Sequence, residues 1–344
     1  MLSAQRRGAR SPVQTPQRRP LTRRGYVLRI EAMIAYLLRR VPQGLLVVIG
    51  VTVIVFVLVH LLPGGPGALL GERATPQQIK VFLQANGYDK PIYQQYINYL
   101  RQLLHGDLGY SYQHNATVSS LLVQNLPKSA LLVGLSYIVA LAVAIPLGLL
   151  QALRRNRAVD YVLTGLSLVG YSMPVFWIAL VLISLFAINY NILPPVGPSG
   201  ATVSEVVNQP ANLVLPVLTL SIVTVAQFSR FVRSSAIDVL VQDYVRTARS
   251  KGISEWHVLS RHVLRNSLLP IITLIGLSLP GTLSGAVVTE SVFNYPGMGL
   301  LFWNAAAAHD IPVLLGFTLV VSVSVVVGSI VADVLYAVCD PRIR

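Results

Sequence analysis

Charge is scarce in this chain, and acidic charge is scarcest. Of 344 residues 12% are charged, 13 of them Asp or Glu against 27 Lys or Arg. Soluble domains carry about 25% charged residues, so an ordinary water-facing surface is excluded. Cysteine occurs once, at Cys339, which excludes an internal disulfide framework and a thiolate metal cluster. No G-x-x-x-x-G-K-[ST] loop is present to cradle nucleotide phosphates. Nor is there an H-E-x-x-H, a paired C-x-x-C or a G-x-S-x-G elbow, so zinc-protease, zinc-ribbon and serine-hydrolase chemistry have no seat here. The six histidines are scattered; His257 and His262 lie five apart, a spacing that does not set both on one α-helical face.

What the chain has is apolar length. It is 53% hydrophobic with a mean hydropathy of +0.62. Six runs reach the roughly 20 residues that cross about 30 Å of hydrocarbon: Val41–Leu62, Ala130–Leu153, Tyr161–Ile188, Leu213–Val232, Leu268–Val292 and Ile311–Val338. The third and sixth are long enough to tilt. The expected fold is an all-α polytopic membrane protein of six transmembrane helices. Residues 1–40 read as a basic, disordered tail and 41–344 as one six-span domain.

Basic residues collect on the cytoplasmic side of short loops. With the N-terminus inside, the cytoplasmic pieces hold ten basic residues before Val41, three in Arg154–Arg157, seven between Arg230 and Arg265, and Arg342 with Arg344. The exterior keeps Arg73, Lys80, Lys90, Arg101 and Lys128. Both termini are therefore expected in the cytoplasm. The same pattern accounts for the net charge of +14 without nucleic acid as a partner; the tail at most touches anionic lipid.

Two polar segments stand out. Residues 63–127 form the one large exterior insertion, expected as a helical cap. Thr75-Pro76 opens a helix in the favoured order, cap then proline, and another follows Pro91 with Ile92, Tyr93, Tyr96, Ile97, Leu100, Leu103 and Leu104 on one face. On the other side, 233–267 contains the basic stretch DYVRTARSKGISEWHVLSRHVLRNSLLP, Asp243 to Pro270. Tyr244 to Lys251 reads as a short helix that Gly252 ends, because glycine takes a left-handed backbone without steric cost. Ser254 is expected to cap a second helix, with Glu255 in its first turn. A compact helical knob suits docking better than mere connection.

Within the spans, charge is limited to Glu290 and Asp333. Carriers driven by protons or ions usually hold relay carboxylates or histidines near the midplane, and none is visible. The spans offer hydroxyls instead, Ser167, Ser172, Thr219, Ser221, Thr224, Ser278 and Ser284 among them. These either line a wet path or bond their own helix carbonyls. Glu290 either gates the outer mouth or bonds the turn at Asn294–Gly299. A carrier with neither nucleotide site nor relay takes its energy from another subunit. The competing classes are a stand-alone ion- or proton-coupled carrier and a membrane scaffold without a water path.

These residues resemble the membrane-spanning subunit of a bacterial ABC importer, in the dipeptide and oligopeptide branch. The family's cytoplasmic E-A-A–x3–G loop is matched by Arg246-Thr247-Ala248 and Gly252, with Leu269-Pro270 beyond; the glutamate and first alanine are replaced. Gly106-Asp107-Leu108-Gly109-Tyr110-Ser111 is similar to an external G-D-L-G-x-S element. Thr289-Glu290-Ser291-Val292-Phe293, Pro296-Gly297-Met298-Gly299 and Asp310-Ile311-Pro312 follow in the family's order, and Asp340-Pro341-Arg342-Ile343-Arg344 is its usual ending. Pro63-Gly64-Gly65-Pro66 departs from P-G-D-P at Gly65.

The resemblance implies the type I importer permease fold in a bacterial inner membrane, without catalytic residues in this chain. It implies a second, related permease subunit, two cytoplasmic ATPase subunits that hold ATP and Mg, and an external solute-binding protein. This chain would bind no cofactor or metal. The cargo would be a peptide, with glutathione or nickel chelates as the alternative for the same permease type. The coupling element would be Tyr244, Arg246, Thr247, Ala248, Lys251, Gly252, Ile253 and Ser254. Met173, Pro174, Phe228, Ser278 and Glu290 are expected near the path, and Asp107, Tyr110 and Ser111 at an external partner.

Overall fold

The computed structural model describes residues 23–71, 74–268, 271, 274–276 and 286–339, with side chains, within those ranges, over 41–331 and at 334. The first helix, α1 (Arg23–Leu61), starts well before the expected Val41. Tyr26 to Val41 contains no glycine or proline to stop it, so residues 23–40 are helical and not a disordered tail. Leu61 gives way to Gly64 and Gly65, both at positive φ, and a short 3₁₀ turn, Gly65–Leu70.

The cap follows. Helix α2 (Pro76–Ala85) opens on a complete capping box between Thr75 and Gln78, and α3 (Ile92–Leu104) follows Pro91. Helix α3 leans on the end of α1, where the Thr52 and Tyr96 hydroxyls lie 3.0 Å apart and the Phe56 ring meets that of Tyr96 edge-on at 5.2 Å, and α2 packs on the 3₁₀ turn through Ile79 against Gly67. A two-residue antiparallel hairpin, β1 (Tyr110–Ser111) with β2 (Ala116–Thr117), completes the cap. The next helix was expected near Ala130. Instead the Thr117 hydroxyl accepts from the Ser120 amide and starts α4 (Val118–Leu153) inside the predicted cap. Lys128, counted as an exterior charge, is thereby a buried helix residue, its Nζ 3.5 Å from the Gly200 carbonyl oxygen.

The expected third span is not one tilted helix. It divides into α5 (Ala158–Ser172) and α6 (Val175–Leu182), the latter widening into π turns over Ile183–Asn189, and the halves meet at 103°. Pro174 causes the break: its ring cannot follow a helical residue without clash, and Met173 is extended at ψ 132°. Fifteen residues of α5 reach about 22 Å at 1.5 Å per residue, short of a full crossing. Among the described residues four helices are long and apolar enough to span a bilayer, and the bent pair makes a fifth if it is one span. The predicted span Leu268–Val292 lies largely outside the described residues.

The centre of the bundle is the pair α4 and α8 (Pro210–Leu240), the latter preceded by α7 (Val203–Val207). Leu132, Val133, Tyr137 and Ala144 of α4 pack against Leu213, Val217, Leu220, Phe228 and Val232 of α8. The backbones come close at Gly148, where a Cβ would lie 2.6 Å from the Ser229 carbonyl oxygen and from Val232 Cβ. Buried hydroxyls bond their own helices: Thr219 donates to the Leu215 carbonyl (2.9 Å), Thr224 to Leu220 (2.8 Å), Ser167 to Leu163 (2.9 Å), and Ser221 to Val217 and across to Ser136 (3.0 Å). Four of the hydroxyls read as candidate path residues thus satisfy the helix backbone.

Beyond α8 come α9 (Asp243–Ser250) and α10 (Glu255–His257), which continues through π turns Val258–Leu264 into α11 (Arg265–Ser267). Residues 286–292 are helical (α12), followed by α13 (Met298–Ala307) and α14 (Ile311–Cys339), which packs beside α1.

One buried knot joins α4, α12 and α13. Glu290, fully buried, accepts from Ser129 Oγ (2.6 Å) and from the amides of Gly299 (2.6 Å) and Leu300 (3.2 Å), while Ser129 Oγ accepts from the Met298 amide (2.8 Å). The first amides of α13, which have no partner within their helix, are met by a carboxylate on the favourable side of the dipole. Gly297 leaves the space: a Cβ there would overlap the carboxylate. The Tyr295 hydroxyl donates to the Lys128 carbonyl (2.7 Å), and burial raises that phenol's pKa, so the donor stays protonated. Glu290→Ala would leave the Gly299 and Leu300 amides buried without acceptors, costing about 3 kcal/mol. We expect a lower unfolding midpoint in nanodiscs. A Glu290→Ala protein as stable as wild type, or a Glu290→Gln protein of unchanged stability but altered cargo selectivity, would instead make Glu290 a path residue.

Candidate functional site: a basic knob and a bent span

Helix α9 forms much as its sequence suggests. Asp243 stands in the first turn, Thr247 Oγ1 donates to the Asp243 carbonyl (2.9 Å), and Gly252 ends the helix at φ 75°. Its inward face is Val245 and Ala248, which pack with Val258 and Val263 onto Ala152 of α4 and Ala236 of α8. Ala248, expected at the docking contact, is buried within its own chain: a larger side chain would hold α9 away from the bundle. Tyr244, Arg246, Thr247, Lys251, Gly252, Ile253 and Ser254 are exposed.

The second helix departs from expectation. Ser254 occupies the N-cap position, but its hydroxyl faces His257 Nδ1 (3.2 Å) and not a backbone amide. Glu255 reaches back to Arg249 (Nε to Oε1, 2.9 Å). The Arg249 charge is thus met at home, which leaves Arg246 and Lys251 as the outward cations of the Tyr244–Ser254 stretch. The π winding of Val258–Leu264 also alters the side-chain phase assumed for His257 and His262: His262 lies beside the Tyr244 ring, centroids 6.4 Å apart. Trp256 is 76% exposed. Its apolar bulk on a polar knob was the available signal and had not been drawn out of the sequence.

A second unpredicted feature lies where α5 and α8 meet near the knob. Asp160, buried, accepts a bidentate pair from Arg233, Nε to Oδ1 and Nη2 to Oδ2, both 2.7 Å. It also accepts from the Asn156 amide (3.0 Å) and faces the Thr164 hydroxyl (3.3 Å). Arg233 lies in the last turns of α8, which lead into α9, so this fork ties the Ala158 end of the bent span to the root of the knob. Its sequence signal was an aspartate opening a span two residues from a basic loop, next to an arginine counted only for orientation.

The expected path residues are not gathered together. Met173 and Pro174 sit at the bend, half-buried and exposed, beside Leu168, Val169, Ser172 and Trp177 around a hollow of about 450 Å³. Phe228 is 1% exposed and stacks edge-on with Tyr137 at 6.0 Å; it fills the α4–α8 core and does not line this hollow. Glu290 caps α13, as above, and Ser278 lies outside the described residues.

At the cap end, Asp107 accepts from the Gly109 amide (2.9 Å), shaping the turn into the hairpin. Tyr110 is exposed, with its hydroxyl 2.5 Å from Asn115 Oδ1. Ser111, expected at an external partner, is fully buried and hydrogen-bonds Asp310, so the hairpin is fastened to the start of α14. The G-D-L-G-x-S and D-I-P motifs, 199 residues apart at that bond, thus meet in space.

The comparisons agree with this geometry. Residues 144–344 match the model of the binding-protein-dependent transport system inner membrane component, and residues 33–133 match that of its N-terminal part. The oligopeptide transport system permease protein AppB of Bacillus subtilis is 39% identical over 315 residues, covering 91% of this chain and all of that protein. The dipeptide transport system permease protein DppB of Escherichia coli is 35% identical over 336 residues, covering 91% and 99%. The oligopeptide transport system permease protein OppB of Haemophilus influenzae is 35% identical over 314 residues, covering 91% and 100%. With its apolar helices this is a multi-pass protein of the bacterial inner membrane, and the chain belongs to the binding-protein-dependent transport system inner membrane component family.

Proposed function

We propose that this chain is a permease subunit of an ATP-driven importer of dipeptides or oligopeptides, worked through α9 by a separate cytoplasmic ATPase. The observation that carries the coupling role is the construction of α9: an exposed basic face on a helix whose opposite side is locked to α4 and α8. A short helix with its backbone bonds satisfied moves as a body, so displacement of its outer face passes to the two central helices. Arg246 and Lys251 offer charge to an acidic groove, and Ile253 with Trp256 offer apolar surface.

A related permease subunit forms the other half of the path, and an external solute-binding protein delivers the peptide to the cap end, where Tyr110 of the hairpin is exposed. Full relatives carrying dipeptide or oligopeptide names favour peptide over the other cargoes. ATP and Mg belong to the ATPase. Met173, Pro174 and Ser172, at the bend, are the path-lining positions that the geometry favours.

The direct test is copurification with an ATPase chain and uptake of a labelled di- or tripeptide, with the solute-binding protein outside, by right-side-out or reconstituted vesicles loaded with ATP. Uphill uptake by this chain without any nucleotide-hydrolysing companion would end the reading. Reversing the outward charges, Arg246→Glu with Lys251→Glu, is expected to cut ATPase association and uptake by about tenfold, the range of an inter-site coupling near 1–3 kcal/mol. Insertion and thermal stability should stay at wild-type values, since both side chains are exposed. Ala248→Pro, by removing a helix bond on the buried side, should abolish uptake while the protein remains inserted.

The Asp160–Arg233 fork yields a separate expectation. Arg233→Ala leaves a buried carboxylate without its cation, a change that costs about 3 kcal/mol, visible as a lower unfolding temperature. The exchanged pair Asp160→Arg with Arg233→Asp should recover part of that loss. If the fork also transmits motion, each single variant would hydrolyse more ATP per peptide imported; a stability loss with an unchanged ratio would leave it a purely structural tie.

A further inference from the structure

One cation stands within the bundle without an anion. Arg230, grouped by sequence with the inner basic loop, lies inside the long apolar helix α8 and is exposed. Its guanidinium carbon is 5.8 Å from the centre of the Tyr171 ring on α5, a cation–π separation. Among the described residues no carboxylate pairs with it. Asp160, the acidic group at the start of α5, is already taken by the fork of Arg233 and by the Asn156 amide.

A neighbouring contact gives its depth. The Ser229 and Ser167 hydroxyls lie 3.2 Å apart, so Arg230 stands beside a residue nine positions after Ala158, where α5 begins just behind Arg154, Arg155 and Arg157. Nine residues rise about 14 Å, close to half of a hydrocarbon core about 30 Å thick. An exposed arginine at that depth is costly against lipid, and such residues face a wet cavity or the bundle interior. Lipid phosphate lies outside the hydrocarbon. An arginine seeking it would extend back toward Ala158, not to Tyr171, which is further along α5 than Ser167. Tyr171 is itself 52% exposed and adjoins Ser172 and the bend.

We propose that Arg230, seated on Tyr171, binds the C-terminal carboxylate of the peptide as it passes the bend, an inference that rests on the peptide-importer reading. Peptides of every sequence share that carboxylate and an N-terminal amine, so a path that passes many of them has only the constant ends to hold. A guanidinium takes a carboxylate through two parallel hydrogen bonds. The Tyr171 ring steadies the cation without supplying a counter-charge, and the full charge stays available. A fixed carboxylate on the related permease subunit would quench it for good. A peptide end arrives and leaves, as a conducting site requires.

The test uses the complex with its ATPase, in vesicles loaded with ATP and with the solute-binding protein outside. Uptake of labelled trialanine and of its C-terminal amide is measured, each divided by its binding to the isolated solute-binding protein. Wild type is expected to favour the acid by about tenfold after that division, the scale of one charge-assisted contact. Arg230→Gln should lose the preference by slowing the acid alone, and Arg230→Lys should keep part of it. Both variants should insert and melt near wild type, since the side chain is exposed. Arg230→Cys in a Cys339→Ser background, in nanodiscs, should react with a membrane-impermeant thiol reagent. An unchanged acid-to-amide ratio in Arg230→Gln, an unreactive thiol in Arg230→Cys, or loss of the second permease subunit from purified Arg230→Gln would each overturn the proposal. Absence of any trialanine uptake by wild type would instead sink the importer reading, and this site with it.

Discussion

The close approach of α4 and α8 is the constraint on which the rest depends. Hydrocarbon gives two helices no hydrophobic reason to associate, so contact must come from fit and from polar groups met inside the protein. Gly148 against Ser229 and Val232 supplies the fit. Ser221, bonding its own helix and the Ser136 carbonyl, supplies a cross-link. The knob rests on one end of this pair through Ala152 and Ala236, and the Glu290 knot fastens α12 and α13 to α4 at Ser129. Both functional ends are thus referenced to one shared pair.

Much of this was legible from residue types alone. Thr75-Pro76, Pro91 and Gly252 marked real boundaries because capping and positive φ are local demands that few residues meet. Apolar length found the long helices for the same reason: the bilayer, acting as solvent, sets one number. It misplaced their ends. A helix does not stop where hydrophobicity stops, and α4 runs from Thr117 across the polar turn at Gln124-Asn125 because nothing there breaks it, Pro127 included. The bend at Met173-Pro174 was hidden from a length criterion, although the proline itself was in view.

The site was legible in position but less so in role. The knob was found because polar sequence between apolar runs is conspicuous, and its exposed face is where the motif lies. Which residues face outward depended on packing that periodicity over eight residues cannot fix: Ala248 turned inward, and Arg249 found Glu255. Ser111 and Phe228, expected at a partner and near the path, are both buried, and for a common reason. A motif residue can be required for holding the fold as readily as for contact, and burial alone separates the two uses. Asp160 and Arg233 escaped because their partnership spans 73 residues and two elements, a relation that neither charge counting nor local spacing contains.

On the proposed reading, the arrangement of ties determines how a push at the knob can reach the path. Helices α4 and α8 share a close-packed seam, and interiors of that density shift as units more readily than they deform. Movement of α9 therefore displaces the inner ends of both helices together. The Arg233 fork passes that movement to α5, whose other end is the bend at Met173-Pro174. The bend has lost helix bonds to Pro174 and is open to its surroundings at Ser172 and Pro174, so it resists rotation least. At the far end the carboxylate of Glu290 and the Ser111–Asp310 bond hold α13, α14 and the hairpin in place. A chain fixed at the cap, driven at the knob and broken between the two has its compliant point at the bend, where a gate would have to lie.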